Sequence, residues 1–348
     1  MDWIRAFTAK PYPPREAFGL VWRNLAGASF RNPHALRFTP RHTRLNEIQP
    51  QLTLGLGGDV MSMFGKALRF APEVASFFSP CDKVLLNFEG VITEQRQISP
   101  DQKHTRPILG ALDGLASRDK LVLSLANNHT GDFGEDECRR SLTLLQAEGF
   151  TAFGLTESPF IDLHERLRVA TGTRWSNREG RHLAWLRDPV QFVRPGAFNL
   201  LYPHWGYELE VYPRQDLVAQ MDAWLTRFDA VVGHHSHTPQ PITVQRGADG
   251  LQRLAAYSLG DLCFGMAYAR LPTFKYYAYG LIARATLGPL VSNPDRWAIG
   301  DLSWSFVECR PLGKGQGFEV VLRDQIPLFN ARDIPSATAA HRPAQATG

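Results

Sequence analysis

The sequence predicts an α/β fold, a sheet covered on both faces, and three observations lead there. From residue 52 onward, apolar runs of strand length alternate with helix-spaced segments. Five of those runs in turn end in residues able to hold a metal, as at the carboxyl ends of strands in open α/β sheets. The 348-residue chain also has 44% apolar and 21% charged residues, ordinary values for a globular protein with a sizeable core.

Residues 1–50, rich in Arg, Pro and Asn, read as a basic extension with a short helix near 14–27. Residues 51–330 hold the predicted domain. It opens with an apolar strand over 51–59 that stops at Gly57-Gly58-Asp59, followed by a helix over 64–78. A second strand over 83–88 ends at Glu89-Gly90, and a third over 120–125 ends at Asn127-Asn128-His129. The helix over 135–148 places Cys138, Leu142 and Leu145 on one face and stops at Gly149. A strand over 197–202 runs to His204, a helix covers 213–227, and a strand over 229–232 ends in Gly233-His234-His235-Ser236-His237. The segments 241–246, 251–259, 275–287, 303–310 and 317–323 read as strands, and 331–348 as a disordered Ala-, Pro- and Thr-rich tail.

The net charge of +4 is unevenly placed: residues 1–44 carry eight Arg or Lys against Asp2 and Glu16, a local +6, which leaves −2 for the rest. Trp3, Phe7, Trp22 and Phe30 are interleaved there, so peripheral membrane contact, an acidic polymer or a partner protein are the partners expected of residues 1–44; no motif points to nucleic acid. No stretch reaches about 18 uninterrupted apolar residues. Prolines and charges interrupt the first twenty residues where a signal peptide needs an apolar core, so a cytoplasmic protein is the default expectation. Cys81, Cys138, Cys263 and Cys309 show no CxxC pairing and read as reduced, buried thiols.

The strand-end residues form a coherent donor set. Asp59 and Glu89 offer carboxylate oxygens, Asn128 an amide oxygen, and His204, His235 and His237 imidazole nitrogens. Such donors, without thiolate, suit one or two divalent ions of the Mn, Fe or Zn kind and metal-activated hydrolysis or transfer. Three imidazoles in four positions at a strand end are the strongest local signal. Arg106, before the third strand, is a candidate contact for an anionic substrate group. His34, His42, His104, His164, His182 and His341 read as surface or loop histidines.

In order and spacing, GDVM (58–61), NFEGVIT (87–93), LANNHTGDFGEDECRRSLTLLQAEGF (125–150), PHWGYE (203–208), VVGHHSHTPQPI (231–242) and YSLGDLCF (257–264) resemble the CapA (poly-γ-glutamate capsule synthesis) family, over residues 52–265. The resemblance implies a four-layer α/β/β/α sandwich of the metallophosphoesterase type. Asp59, Glu89, Asn128, His204, His235 and His237 carry over as metal ligands. His129 becomes the proton donor to a leaving group or an orienter of substrate. His234 is an alternative to His235, and Asp261, where family members commonly carry Asn, an additional ligand or substrate contact. Relative to the wider metallophosphoesterase pattern, Met61 replaces a ligand His and Glu89 a bridging Asp. The implied function is hydrolysis or transfer on a phosphoester, an amide or an anionic polymer such as poly-γ-glutamate, with capsule-synthesis proteins as partners. The alternative is a non-catalytic polyanion or capsule assembly factor.

Overall fold

The apolar runs become two sheets that line one shared core. The computed structural model describes residues 12–98, 100–269, 272–313 and 315–335. The larger sheet runs in the order Leu68–Phe70, Phe318–Arg323, Asn293–Pro311, Tyr279–Leu290, Leu52–Val60, Lys83–Phe88, Leu121–Ser124 and Thr151–Phe153. Asp261–Cys263 lies beside the end of Leu52–Val60, and His42–Arg44 pairs with Asn293–Pro311. The last four strands of that order are mutually parallel, and the long Tyr279–Leu290 and Asn293–Pro311 strands pair antiparallel. This explains the apolar run Val84-Leu85-Leu86 within Lys83–Phe88: a parallel strand is covered on both faces, and Val84 through Phe88 are all buried, the polar Asn87 among them at the site.

The second sheet runs Ile242–Arg246, Gln252–Ala256, Ala230–Val232, Phe198–His204, Leu167–Thr173 and Phe160–His164. Its inner four strands are parallel. The two-residue period of a strand sorts its side chains. Leu200, Tyr202, Ala230, Val232 and Leu254 join Leu54, Leu56 and Leu86 of the first sheet in the shared core. Leu201, Val231 and Ala255 point the other way, under Leu217, Met221 and Trp224 of the helix Gln215–Leu225. Polar contacts also tie the sheets together: the Tyr202 hydroxyl donates to the Gly57 carbonyl, and the Ser124 and Thr171 hydroxyls lie 2.9 Å apart.

Several elements differ from the sequence expectation. The predicted helix over 64–78 is the strand Leu68–Phe70 followed by the helix Pro72–Phe78. Pro72 sits at the first helical turn, where its missing N–H costs nothing, while Leu68–Phe70 pairs with Phe318–Val320 far along the chain. The start of the predicted 275–287 strand is the 3₁₀ segment Pro272–Ala278. Leu167–Thr173 is a strand without a strand signal in the sequence; its Arg, Gly and three Thr or Ala residues lack an apolar run. Trp3 and Phe7 lie outside the described residues, as does 336–348 of the predicted disordered tail; the tail's described start, 331–335, is instead held to the body, the Asp333 carbonyl accepting the Phe38 N–H at 3.0 Å. Among the described residues no helix is long and apolar enough to cross a membrane.

The four thiols are free and buried, as the sequence implied. Burial pushes Cys81 up to about 11 and Cys138 and Cys309 up to about 12. Since the thiolate is the reactive form, a disulfide reagent at pH 8 should titrate none of them in the native protein and all four in denaturant. Rapid native labelling would contradict that burial.

Gly58 makes a close approach that no other residue permits. A Cβ there would lie 1.8 Å from the Gly260 carbonyl oxygen, on a neighbouring strand end. Gly58→Ala should cost about 3 kcal/mol or prevent folding. Gly110→Ala, in the helix Pro107–Leu112 with nothing within 4 Å, should be neutral or stabilising by about 0.5 kcal/mol. Denaturant melts of the two variants test this; equal effects would refute it.

Candidate metal centre

The carboxyl ends of parallel strands from both sheets converge on one buried cluster. Asp59 closes Leu52–Val60, Glu89 follows Lys83–Phe88, and Asn128 and His129 follow Leu121–Ser124. His204 ends Phe198–His204, and His234, His235 and His237 follow Ala230–Val232. All of them are buried. A parallel bridge joins His204 to His234. Beyond it the chain takes left-handed backbone at His235 (φ 99°) and His237 (φ 54°). Such values are uncommon for residues with a side chain and accompany functional sites. Gly233 lets this turn press in, because a Cβ there would meet Trp205 Nε1 at 2.2 Å and the Tyr257 carbonyl at 2.3 Å.

Asp59 Oδ1 accepts the Asn87 amide (2.7 Å) and lies 3.3 Å from His234 Nδ1, and Asp59 Oδ2 accepts the His235 backbone N–H at 3.0 Å. Burial alone would raise the Asp59 carboxyl, but His234, His237 and Asn87 outweigh it and hold it below its ordinary range. Glu89 is the opposite case. Burial, then the nearby Asp59 charge, pushes its carboxyl well above the ordinary range. Its Oε1 has no hydrogen-bond partner among the described residues. Three imidazole Nε2 atoms stand around that oxygen at non-bonding distances: His129 and His237 at 3.8 Å and His204 at 4.0 Å.

His204 Nε2 is also 2.8 Å from Asn128 Oδ1, close to the edge of about 3 Å between two ligands of one ion. Burial and the neighbouring imidazoles keep His204 and His235 neutral, the state in which a histidine binds metal. His237 is raised despite its burial by Asp261 and Glu89; Asp261 Oδ1 holds its Nδ1 at 2.8 Å. Potential ligand atoms of Asp59, Glu89 and His237, of Glu89, His204 and His235, and of Asp59, His204 and His234 each lie within 4.8 Å of one another. Asp59, Glu89 and His204 each belong to two of the three sets, so these three residues link them into one cluster.

The residues fit a metal. A buried carboxylate oxygen without a donor, ringed by imidazole nitrogens too far away to bond it directly, is costly as an empty polar gap and sensible around a cation.

Of the sequence candidates, Asp59, Glu89, Asn128, His129, His204, His234, His235, His237 and Asp261 come together here. Arg106 does not: it is exposed before the helix Pro107–Leu112, and among the described residues no hydrogen bond joins it to the cluster. His104, a surface or loop residue by sequence, is instead buried against the Phe88 ring (centroids 4.0 Å apart), with Nε2 2.9 Å from the Glu89 carbonyl; burial lowers it to about 4. His182 is buried too. Sequence reasoning also missed Asp132, 2.6 Å from His129 Nδ1, and Asn177, which donates to Asp132. A carboxylate three residues after His129 was the available signal. Tyr12 was unforeseeable: its hydroxyl reaches His235 Nε2 at 2.6 Å and donates to Glu208 at 2.7 Å, from a segment with no motif.

Comparison with known proteins agrees with the motifs. The family model described as bacterial capsule synthesis protein PGA_cap matches residues 53–162 and 162–266. A probable polyglutamine synthesis accessory protein of Mycobacterium tuberculosis is 27% identical over 57% of this chain and 58% of its own. The PGA biosynthesis protein CapA of Bacillus subtilis is 24% identical over 61% of each. The chain thus spans about three-fifths of the length of these curated relatives. A solved structure of a hypothetical protein from Thermus thermophilus aligns over 72% of this chain and 98% of its own, at 14% identity and a TM-score of 0.39, too remote to carry an argument.

Glu89→Gln tests the cost of the central carboxylate. In chelator, without metal, the variant should be more stable than the parent by about 1–3 kcal/mol. The gain should be larger at pH 8 than at pH 5. A carboxyl whose folded value is raised loses stability as pH climbs from its unfolded value toward its folded one. Thermal melts at both pH values measure this; a destabilised variant would show that the carboxylate is compensated within the protein.

Proposed function

Because the chain belongs to the bacterial capsule synthesis protein PGA_cap family, that of CapA, we propose that it serves capsule or poly-γ-glutamate biosynthesis through a divalent-metal centre. Asp59, Glu89, Asn128, His204, His235 and His237 hold one or two ions in this reading, with His234 and Asp261 behind them. The observation that carries it is Glu89 Oε1, buried, without a donor among the described residues, and faced by three imidazoles. A bound divalent ion supplies a Lewis acid and a lowered pKa for attached water. The four-layer α/β/β/α arrangement belongs to the same proposal, supported by a sheet whose one face lines the shared core and whose other lies under a helix.

The chain's own residues account for proton handling. Asp132 Oδ2 holds His129 Nδ1 at 2.6 Å, with the Gln102 N–H also donating to that oxygen at 2.8 Å. The Asp132 contact orients the ring so that Nε2 faces Glu89 and the cluster, where it can give a proton to a leaving group. Asn87 and Asn177 fix Asp59 and Asp132 by donating amide hydrogens, which keeps both carboxylates in place as charge shifts. The substrate class is a phosphoester, an amide or an anionic polymer.

A second reading, a non-catalytic assembly factor that binds polyanion, is favoured by one feature. The groove between the helix Pro14–Ala26 and the body is lined by Arg15, Arg23, Arg31, Arg174 and Arg214 against two acids, Glu16 and Glu210, an excess of positive charge.

Elemental analysis decides the first step. The purified protein should hold about one or two equivalents of Mn, Fe or Zn, and His235→Ala/His237→Ala should hold none. Asp132→Asn should keep the metal while lowering turnover about tenfold or more on any substrate found in a screen with that metal. A metal-loaded protein inactive across phosphoesters, amides and poly-γ-glutamate would favour the assembly factor. Absence of metal after reconstitution would overturn the centre.

A further inference from the structure

The helix Pro14–Ala26 is built inside out. A helix on a globular protein normally turns its apolar stripe to the core and its charges to water. Here Arg23 is the inward residue, 8% exposed, donating to Glu16 (2.5 Å) and to the Glu208 carbonyl (2.6 Å), and 3.4 Å from Glu210. Glu16 also turns inward, 2.8 Å from Arg214. The Asn24 carbonyl accepts the Thr273 hydroxyl, and the Asn24 side chain accepts Tyr277 at 3.2 Å. On the outer side Phe18, Val21, Trp22 and Leu25 are 73%, 56%, 62% and 69% exposed, spaced three, four and seven residues from the first. Phe30, four residues beyond the helix, is exposed as well, with its ring edge toward Tyr276. These five make up most of the eight large hydrophobic side chains exposed among the described residues, so the apolar surface is concentrated on this one segment.

The helix cannot roll to hide that stripe without stripping Arg23 of its buried acceptors, a costly exchange. The charge around the stripe is one-sided. Arg15, Arg31 and Arg37 are exposed, while Glu16, the only acid between residues 12 and 44, is turned away from the surface. Aromatic and aliphatic side chains along one helix face, in a segment whose exposed charges are arginines and whose one acid is paired with Arg23 and Arg214, match a membrane interface that carries anionic lipid.

We infer that this helix is an interfacial membrane-docking element: Phe18, Val21, Trp22 and Leu25 enter the headgroup–acyl boundary of an anionic bilayer, with Arg15 and Arg31 on its phosphates. Tyr12, two residues before the helix, reaches His235, so docking would hold the buried cluster beside the lipid surface. The inference goes beyond the metal-centre reading and stands or falls separately from it.

Full-chain protein is spun with vesicles of phosphatidylcholine, with and without phosphatidylglycerol, across a salt series. Wild type should sediment with the phosphatidylglycerol vesicles and be released by salt. Phe18→Ser/Trp22→Ser/Leu25→Ser should bind at least about tenfold more weakly, and Arg15→Glu/Arg31→Glu should lose the dependence on phosphatidylglycerol. Because these side chains are exposed, melting temperature and metal content should match wild type, which separates loss of docking from loss of fold or centre. Wild type that stays in solution at low salt, or a triple-serine variant that binds as well, would overturn the inference. So would a wild-type dimer, converted to monomer by the serines and indifferent to vesicles; the stripe would then join two copies of the chain.

Discussion

One carboxylate organises the centre of this protein. Glu89 is fully enclosed, pushed toward its neutral form by burial and by Asp59, and one of its oxygens faces imidazoles that stand short of bonding contact. A buried polar group left in that condition costs free energy that the rest of the fold must offset. The surrounding residues form a donor set that could hold a cation. Asp59 and Asp132 are braced by amides, His204 and His235 are kept neutral, and His237 is held by Asp261.

The fold supplies that geometry by stopping parallel strands of two sheets at the same place. Close approach is the enabling condition. Gly58 lies against the Gly260 carbonyl and Gly233 against Trp205, each just before a candidate ligand. The glycines therefore give up side-chain packing so that Asp59 and His234 can reach one point. The left-handed backbone at His235 and His237 is the corresponding concession in the histidine turn.

The chain before residue 50 is more closely joined to the rest than its composition suggests. Phe38 and Leu45 enter the main core, His42–Arg44 extends the larger sheet, and Tyr12 reaches the cluster itself. Its helix is held by ion pairs on the inner side and leaves its apolar side outward. The same segment therefore touches the buried centre and shapes the exposed surface, so any partner bound by the helix would lie near the site.

Local pattern alone determined the strands over 51–59, 83–88, 120–125, 197–202 and 229–232, the helices over 135–148 and 213–227, and the candidate ligands at strand ends, because burial on both faces favours apolar runs and polar residues stand out where those runs stop. Motif order determined the family. What depends on distant pairing was not legible: Leu68–Phe70 is a strand because Phe318–Val320 lies beside it, and Leu167–Thr173 because Phe198–His204 does. Nor did local sequence separate Arg106, which stays outside the cluster, from His104, which packs on Phe88 behind Glu89. They are two residues apart, His104 in a short strand paired with Val91–Ile92 and Arg106 just before the helix Pro107–Leu112, and only the path of the folded chain decides which side chain turns inward. Asp132, Asn177 and Tyr12 were fixed in their roles by tertiary structure in the same way, since a hydrogen bond to a site residue is a matter of distance in space, and residue type reports only the capacity to make one.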